Sequence, residues 1–119
     1  MEPIEYDIEF PRGDTCAYKF KLIDAQKNIL HPSASTEIYF TLKTNHNNTN
    51  AILQKKYSLG EITLDGDFLI IFFKHSDTTG LKMDFNYEYD ISVIDGDFVG
   101  TLYIGKMRLS REVTHLANE

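Results

Sequence analysis

Tryptophan is absent from this chain, cysteine occurs once, and proline only three times in 119 residues. A single thiol excludes an internal disulfide, and no Cys/His spacing resembles a zinc site, so packing rather than staples must supply stability. Basic residues are in deficit, with 12 Lys and Arg against 18 Asp and Glu and a formal charge of -6. Phosphate recognition needs clustered cations that release counterions, so no nucleic-acid partner is expected. Long apolar runs are also missing. The acidic stretch Met1 to Phe10 resembles neither a signal peptide nor a membrane span, which predicts synthesis in a cytoplasm without membrane insertion. Sustained helical periodicity is lacking, and at most Ser76 to Leu81 makes one turn.

What the chain has instead is alternation. Phe85, Tyr87, Tyr89, Ile91 and Val93 share one face of a strand, while Asn86, Glu88, Asp90 and Ser92 share the other. Asp95-Gly96 then reads as the central pair of a two-residue hairpin turn into the run Asp97 to Leu109. That register sets Val93 against Phe98, Ile91 against Gly100, Tyr89 against Leu102 and Tyr87 against Ile104. A one-residue slip would mix the faces, which is costly where one side is buried.

Upstream, Tyr6, Ile8 and Phe10 alternate with acidic residues and end at Pro11. Arg12-Gly13-Asp14 follows as a turn. Cys16, Tyr18, Phe20 and Leu22 form a second strand whose outer face carries Lys19 and Lys21, which makes Cys16 a small buried hydrophobe rather than a nucleophile. Ile38, Phe40 and Leu42 mark a third strand, Ala51 to Tyr57 a short fourth, Glu61 to Leu64 a fifth, and Phe68 to Phe73 the most apolar. Seven or eight short strands with frequent turn signals predict one domain, an antiparallel β-sandwich rather than a βαβ fold. Tyr87 suits a tyrosine corner bonded near Asp77 to Leu81, or an ordinary core tyrosine with a solvated hydroxyl. With no tryptophan and no cysteine pair, an antibody-type domain is excluded.

In this order, several segments together resemble a family of small tailed-phage proteins related to the N-terminal domain of phage upper baseplate proteins. The resemblance runs through Arg12-Gly13-Asp14-Thr15, Phe20-Lys21-Leu22-Ile23-Asp24, Ile38-Tyr39-Phe40-Thr41-Leu42-Lys43 and Ile52-Leu53-Gln54-Lys55-Lys56. It continues through Asp77-Thr78-Thr79-Gly80-Leu81, Tyr87-Glu88-Tyr89-Asp90-Ile91 and Gly105-Lys106-Met107-Arg108-Leu109 to Val113-Thr114. It implies an immunoglobulin-like sandwich of residues 1–119 and a virion part, in the tail or baseplate, that contacts other tail or baseplate proteins and forms a homo-oligomer. The chain departs from the pattern in lacking a proline near Asp77 to Leu81 and in its long Asn-rich loop.

No catalytic, metal or cofactor motif emerges. Asp65-Gly66-Asp67 and Asp95-Gly96-Asp97 sit where turns are needed and do not continue as calcium loops. His31, His46, His75 and His115 lie beside no nucleophile, Glu88 and Asp90 belong to a solvated strand face, and Arg12-Gly13-Asp14 serves a turn rather than adhesion. The run Phe68 to Phe73 is the sharper signal, because a half-buried strand needs only one apolar row. The family pattern places Phe68, Ile70 and Phe72 in the core, which leaves Leu69, Ile71 and Phe73 as the expected outward interface. Two further readings are an assembly factor and a carbohydrate- or receptor-binding module. The latter would use Asn45, His46, Asn47, Asn48 and Asn50 with Tyr39, Tyr57 or Tyr103.

Overall fold

A computed structural model of the protein describes residues 3–24, 26–45, 47 and 49–111. His46, Asn48, Val113, Thr114 and His115, which figure in the expectations above, lie outside the described residues. The strands are β1 (Ile4–Glu5), β2 (Ile8–Pro11), β3 (Cys16–Lys21), β4 (Thr36–Lys43), β5 (Leu53–Lys56), β6 (Ile62–Asp65), β7 (Phe68–Phe73), β8 (Asn86–Asp95) and β9 (Phe98–Ser110). A 3-10 turn (Tyr57–Leu59) follows β5, and one short helix, α1 (His75–Thr78), links β7 to the approach to β8.

The strands form two sheets. One runs β1-β9-β8-β4-β5, with β2 also on β9, and the other runs β3-β7-β6. In immunoglobulin lettering β3, β7 and β6 are strands B, E and D, while β4, β8, β9 and β5 are C, F, G and C′. The first strand has left B and lies parallel to the last, as Ile4 pairs with Tyr103 and Ile8 with Met107. This strand order makes the domain an immunoglobulin-like sandwich.

Alternation explains most of the core. Ile38, Phe40 and Leu42 from β4 and Tyr87, Tyr89, Ile91 and Val93 from β8 all point inward and are buried. Phe40 stacks edge-on against both Phe73 and Tyr89 at 5.4 Å, and Phe20 lies 5.1 Å from Tyr103. Tyrosine hydroxyls bind the layers together: Tyr103 donates to Lys21 O at 2.8 Å and Tyr18 to Glu9 O at 2.5 Å, each reaching from one sheet to the other. Burial raises the pKa of both phenols, which keeps them as neutral donors. The Tyr87 hydroxyl accepts from Lys82 N at 2.8 Å, so the corner forms one residue beyond the expected span.

The β8–β9 hairpin differs from the expected register. Asp95 pairs with Phe98, Val93 with Gly100 and Ser92 with Thr101, so Gly96 and Asp97 are the central pair. Gly96 has φ +61 while Asp97 is absent from the left-handed region, the signs of a turn with glycine at its first central position. A two-residue shift leaves every side chain on its face, so alternation alone could not detect it. Beyond Ser92 the register slips again at a β-bulge, and Ile91 pairs with Tyr103. Leu102 is the extra residue, both it and Tyr103 are buried, and Ile104 turns out to solvent instead of facing Tyr87.

The bulge positions Gly105 where the first strand crosses. A Cβ there would lie 2.0 Å from Tyr6 O, nearer than any side chain tolerates. At this crossing Tyr6 N donates to Ile104 O and Lys106 N donates to Asp7 Oδ1, both at 2.9 Å, and the Tyr89 hydroxyl donates to Tyr6 O. Gly105→Ala must displace that backbone and is expected to cost at least about 2 kcal/mol, as forced overpacking does. Gly80→Ala, which meets nothing within 4 Å, is the control expected to unfold near the wild-type urea midpoint.

Candidate interaction surface

Strand β7 carries apolar side chains on both faces, and its neighbours decide which face is buried. Directly opposed residues of an antiparallel pair share a face. Phe20 pairs with Leu69, Tyr18 with Ile71 and Cys16 with Phe73. Because Tyr18, Phe20 and Leu22 point inward, Leu69, Ile71 and Phe73 must follow, and their exposures are 0%, 0% and 1%. The expected outward row is therefore core, and Phe68, Ile70 and Phe72 form the outer row, with Phe72 44% exposed. The two rows are equally apolar, so β7 read alone is silent. The decisive signals lie outside it, in the lysines of β3 and in the turn that pairs Phe68 with exposed Asp65.

The outer face of this sheet is a grid three strands wide. Lys21, Phe68 and Asp65 form one row, and Lys19, Ile70 and Thr63 form the next. Lys19 Nζ sits 4.5 Å from the centre of the Phe68 ring and 4.0 Å from Asp65 Oδ2. Ala17 opposite Phe72 leaves that ring open at the far end.

The other expected sites are dispersed. Asn45, Asn47 and Asn50 are exposed between β4 and β5, and Asn47 N donates to Asn45 Oδ1 at 2.9 Å in a local turn. Tyr39 and Tyr57 are half-buried. Tyr103 belongs to the core and has no ring face to offer a sugar. Cys16 is half-buried, and burial raises its thiol pKa, with the Asp14 carboxylate adding to the effect, so the reactive thiolate is disfavoured. Among the described residues no group of three or more His, Cys, Asp or Glu could hold a metal ion.

An open groove of about 330 Å³ lies on the outer face of the larger sheet, missed by the sequence reading. Its floor is a charge ladder, Lys43 opposite Glu88 opposite Lys106, bordered by Asp7 and Asp90. Burial raises the Asp90 pKa, against the hydrogen bond from Ser92 and the charge of Lys43. The described residues lining the groove include no histidine, cysteine or serine.

The Arg12-Gly13-Asp14 turn is clasped rather than presented. Arg12 donates to Leu81 O at 3.1 Å, Gly13 N to the buried Thr78 Oγ1 at 2.7 Å, and His75 Nδ1 lies 2.6 Å from Gly13 O. The same crossover holds a buried cation. Lys55, 2% exposed, places Nζ 2.5 Å from Asp77 Oδ2, which also accepts from Lys74 N at 2.7 Å. At the opposite end of the sandwich, Asp95 accepts from Ser35 Oγ at 2.8 Å, Thr36 Oγ1 at 3.0 Å and Ser33 Oγ at 3.4 Å. These hydroxyls hold its pKa below the ordinary value.

Fold and surface define an immunoglobulin-like sandwich whose smaller sheet turns Phe68, Ile70 and Phe72 outward, with Phe72 exposed. No family model matches the chain, and no curated protein matches it. Among solved structures it is similar to the extracellular fragment, with stalk region, of novel immune-type receptor 11 from Ictalurus punctatus. The two are 10% identical over 100% of this chain and 94% of that one, with a TM-score of 0.40. It is also similar to the extracellular fragment of novel immune-type receptor 10 from the same organism, 11% identical over 91% and 98%, with a TM-score of 0.38. Likeness at this level carries no functional meaning; strand order and register define the fold.

Two stability measurements check the crossover and the end latch. Asp77→Ala removes the nearer carboxylate from the buried Lys55 ammonium and leaves Glu61 Oε2, 4.0 Å away, as its remaining counter-ion, so it is expected to cost about 3 kcal/mol in urea unfolding. Lys55→Met, which leaves Asp77 its amide donor, should cost clearly less. Asp95 has a folded pKa below its unfolded value of about 3.9, so its contribution is present above that value and is lost as pH falls through the lowered one. Asp95→Asn should therefore lower the urea midpoint at neutral pH, with the difference from wild type shrinking as pH falls through the lowered folded value. A difference independent of pH would refute the carboxylate's role.

Proposed function

We propose that this protein is a non-enzymatic structural component of a tailed-phage virion, an attachment part of the tail or baseplate that works through protein contacts. The observation that carries the reading is the outward row Phe68, Ile70 and Phe72, with Phe72 exposed and Phe68 and Ile70 half-buried, on a sheet whose core is already complete. Soluble domains tolerate scattered exposed apolar side chains, whereas a contiguous row favours association. The ordered resemblance to small phage tail proteins supplies the context, with neighbouring tail or baseplate subunits as partners and the virion as location.

Mass spectrometry of purified virions should find the protein in stoichiometric amount. Particles assembled with Phe72→Glu should lose it, while the isolated variant keeps its thermal midpoint. Virions that lack the wild-type protein would overturn the proposal, and full incorporation of Phe72→Glu would remove the apolar row from it.

A further inference from the structure

On the outer face of the β3-β7-β6 sheet the cations originate on one side and the anion on the other, although the Lys19 ammonium reaches over Phe68 to within 4.0 Å of Asp65 Oδ2. Lys19 and Lys21 stand on the β3 side, and Asp65, with Thr63, on the β6 side. Lys19, Lys21 and Asp65 are all exposed, and the row Lys21, Phe68, Asp65 repeats the pattern of cation, ring and anion within a single line across the sheet. We infer that this face binds a second copy of the same chain, with the two β7 strands running in the same direction about a two-fold axis parallel to them. The inference rests on the attachment reading only in taking this face as a contact surface.

When the two sheets pack with their strands aligned, two orientations bring the face onto its own copy by a two-fold axis lying in the interface. An axis perpendicular to β7 lays β3 over β3, setting lysine against lysine and Asp65 against Asp65. An axis parallel to β7 exchanges the sides and preserves the rows. Lys21 then faces Asp65 of the second copy, Lys19 faces Thr63, and Phe68, Ile70 and Phe72 meet their own counterparts. Like charges in register oppose association and opposite charges fix orientation, so of these two arrangements the second is the one in which the face is complementary to itself. Aligned sheet-on-sheet packing is a standard way for such faces to meet, and the natural twist of each sheet is accommodated by splaying the strands about the axis. Strands β3, β7 and β6 give a narrow contact, which places the dimer among weak, concentration-dependent associations.

Sedimentation of the full chain from micromolar to millimolar concentration should show a monomer–dimer equilibrium. Lys19→Glu with Lys21→Glu makes both sides anionic, and Asp65→Lys makes both sides cationic. Each variant alone should dimerise at least about ten-fold more weakly than wild type, and an equimolar mixture of the two should recover a heterodimer. Phe72→Glu should abolish association in every combination. A single monomeric species throughout the range, or a dimer indifferent to the charge reversals, would overturn the inference. The two proposals fail separately. A monomer that still enters virions in a Phe72-dependent way leaves the attachment role standing without the dimer. A dimer with these charge effects that is absent from virions leaves the self-association standing without the role.

Discussion

The fold depends on a change of phase in β9. At the bulge, one extra residue lets Leu102 and Tyr103 both enter the core and reverses which side chains of the strand face inward. Without it, Ile104 would point inward together with Lys106 and Arg108, which would bring two charged groups into an apolar interior at prohibitive cost. With it, Met107 and Leu109 complete the core, and Tyr103 reaches across to the carbonyl of Lys21. Gly105 then becomes the floor over which the first strand passes. The pairing of first and last strands, the inter-sheet tyrosine bond and the polarity of the outer groove all follow from that insertion.

The two hairpins show how little a turn motif determines by itself. Asp-Gly-Asp-Phe occurs twice, at Asp65 to Phe68 and at Asp95 to Phe98, each time with the aspartate paired to the phenylalanine and the glycine at positive φ. In the first copy Asp65 lies on the solvent face beside Lys19. In the second, Asp95 belongs to the inward side of its strand and is satisfied by three hydroxyls at the sandwich end. The turn sets the register, while the flanking strand sets the face.

Legibility in the sequence follows the same logic. Strands β3, β4 and β8 were readable because apolar and polar residues alternate in them, and every inward assignment for Phe20, Ile38, Phe40, Leu42, Tyr89 and Ile91 agrees with burial. Strand β7 was unreadable from within, since Leu69 and Ile70 are equally apolar, and its facing emerges only from pairing with β3. The hairpin offset was hidden because a two-residue shift preserves faces. The bulge did leave a trace: Tyr103, Gly105, Met107 and Leu109 alternate out of step with Gly100 and Leu102. Long-range polar links such as Lys55 to Asp77 and Arg12 to Leu81 have no local signature, because each joins segments distant in sequence.

Lying parallel to the last strand gives the first one an unusual place in time. Ile8 and Phe10 find their backbone partners only at Met107 and Leu109, nearly a whole chain length away. This segment can complete its pairing only once β9 is available, since the strand that holds its backbone is the last of the sandwich. Contacts of such separation slow folding through the entropy of closing the loop between them. The acidic residues Glu5, Asp7 and Glu9 interrupt the apolar ones along that waiting segment. Such charges act as gatekeepers, lowering the tendency of the segment to associate with other chains until β9 is in place.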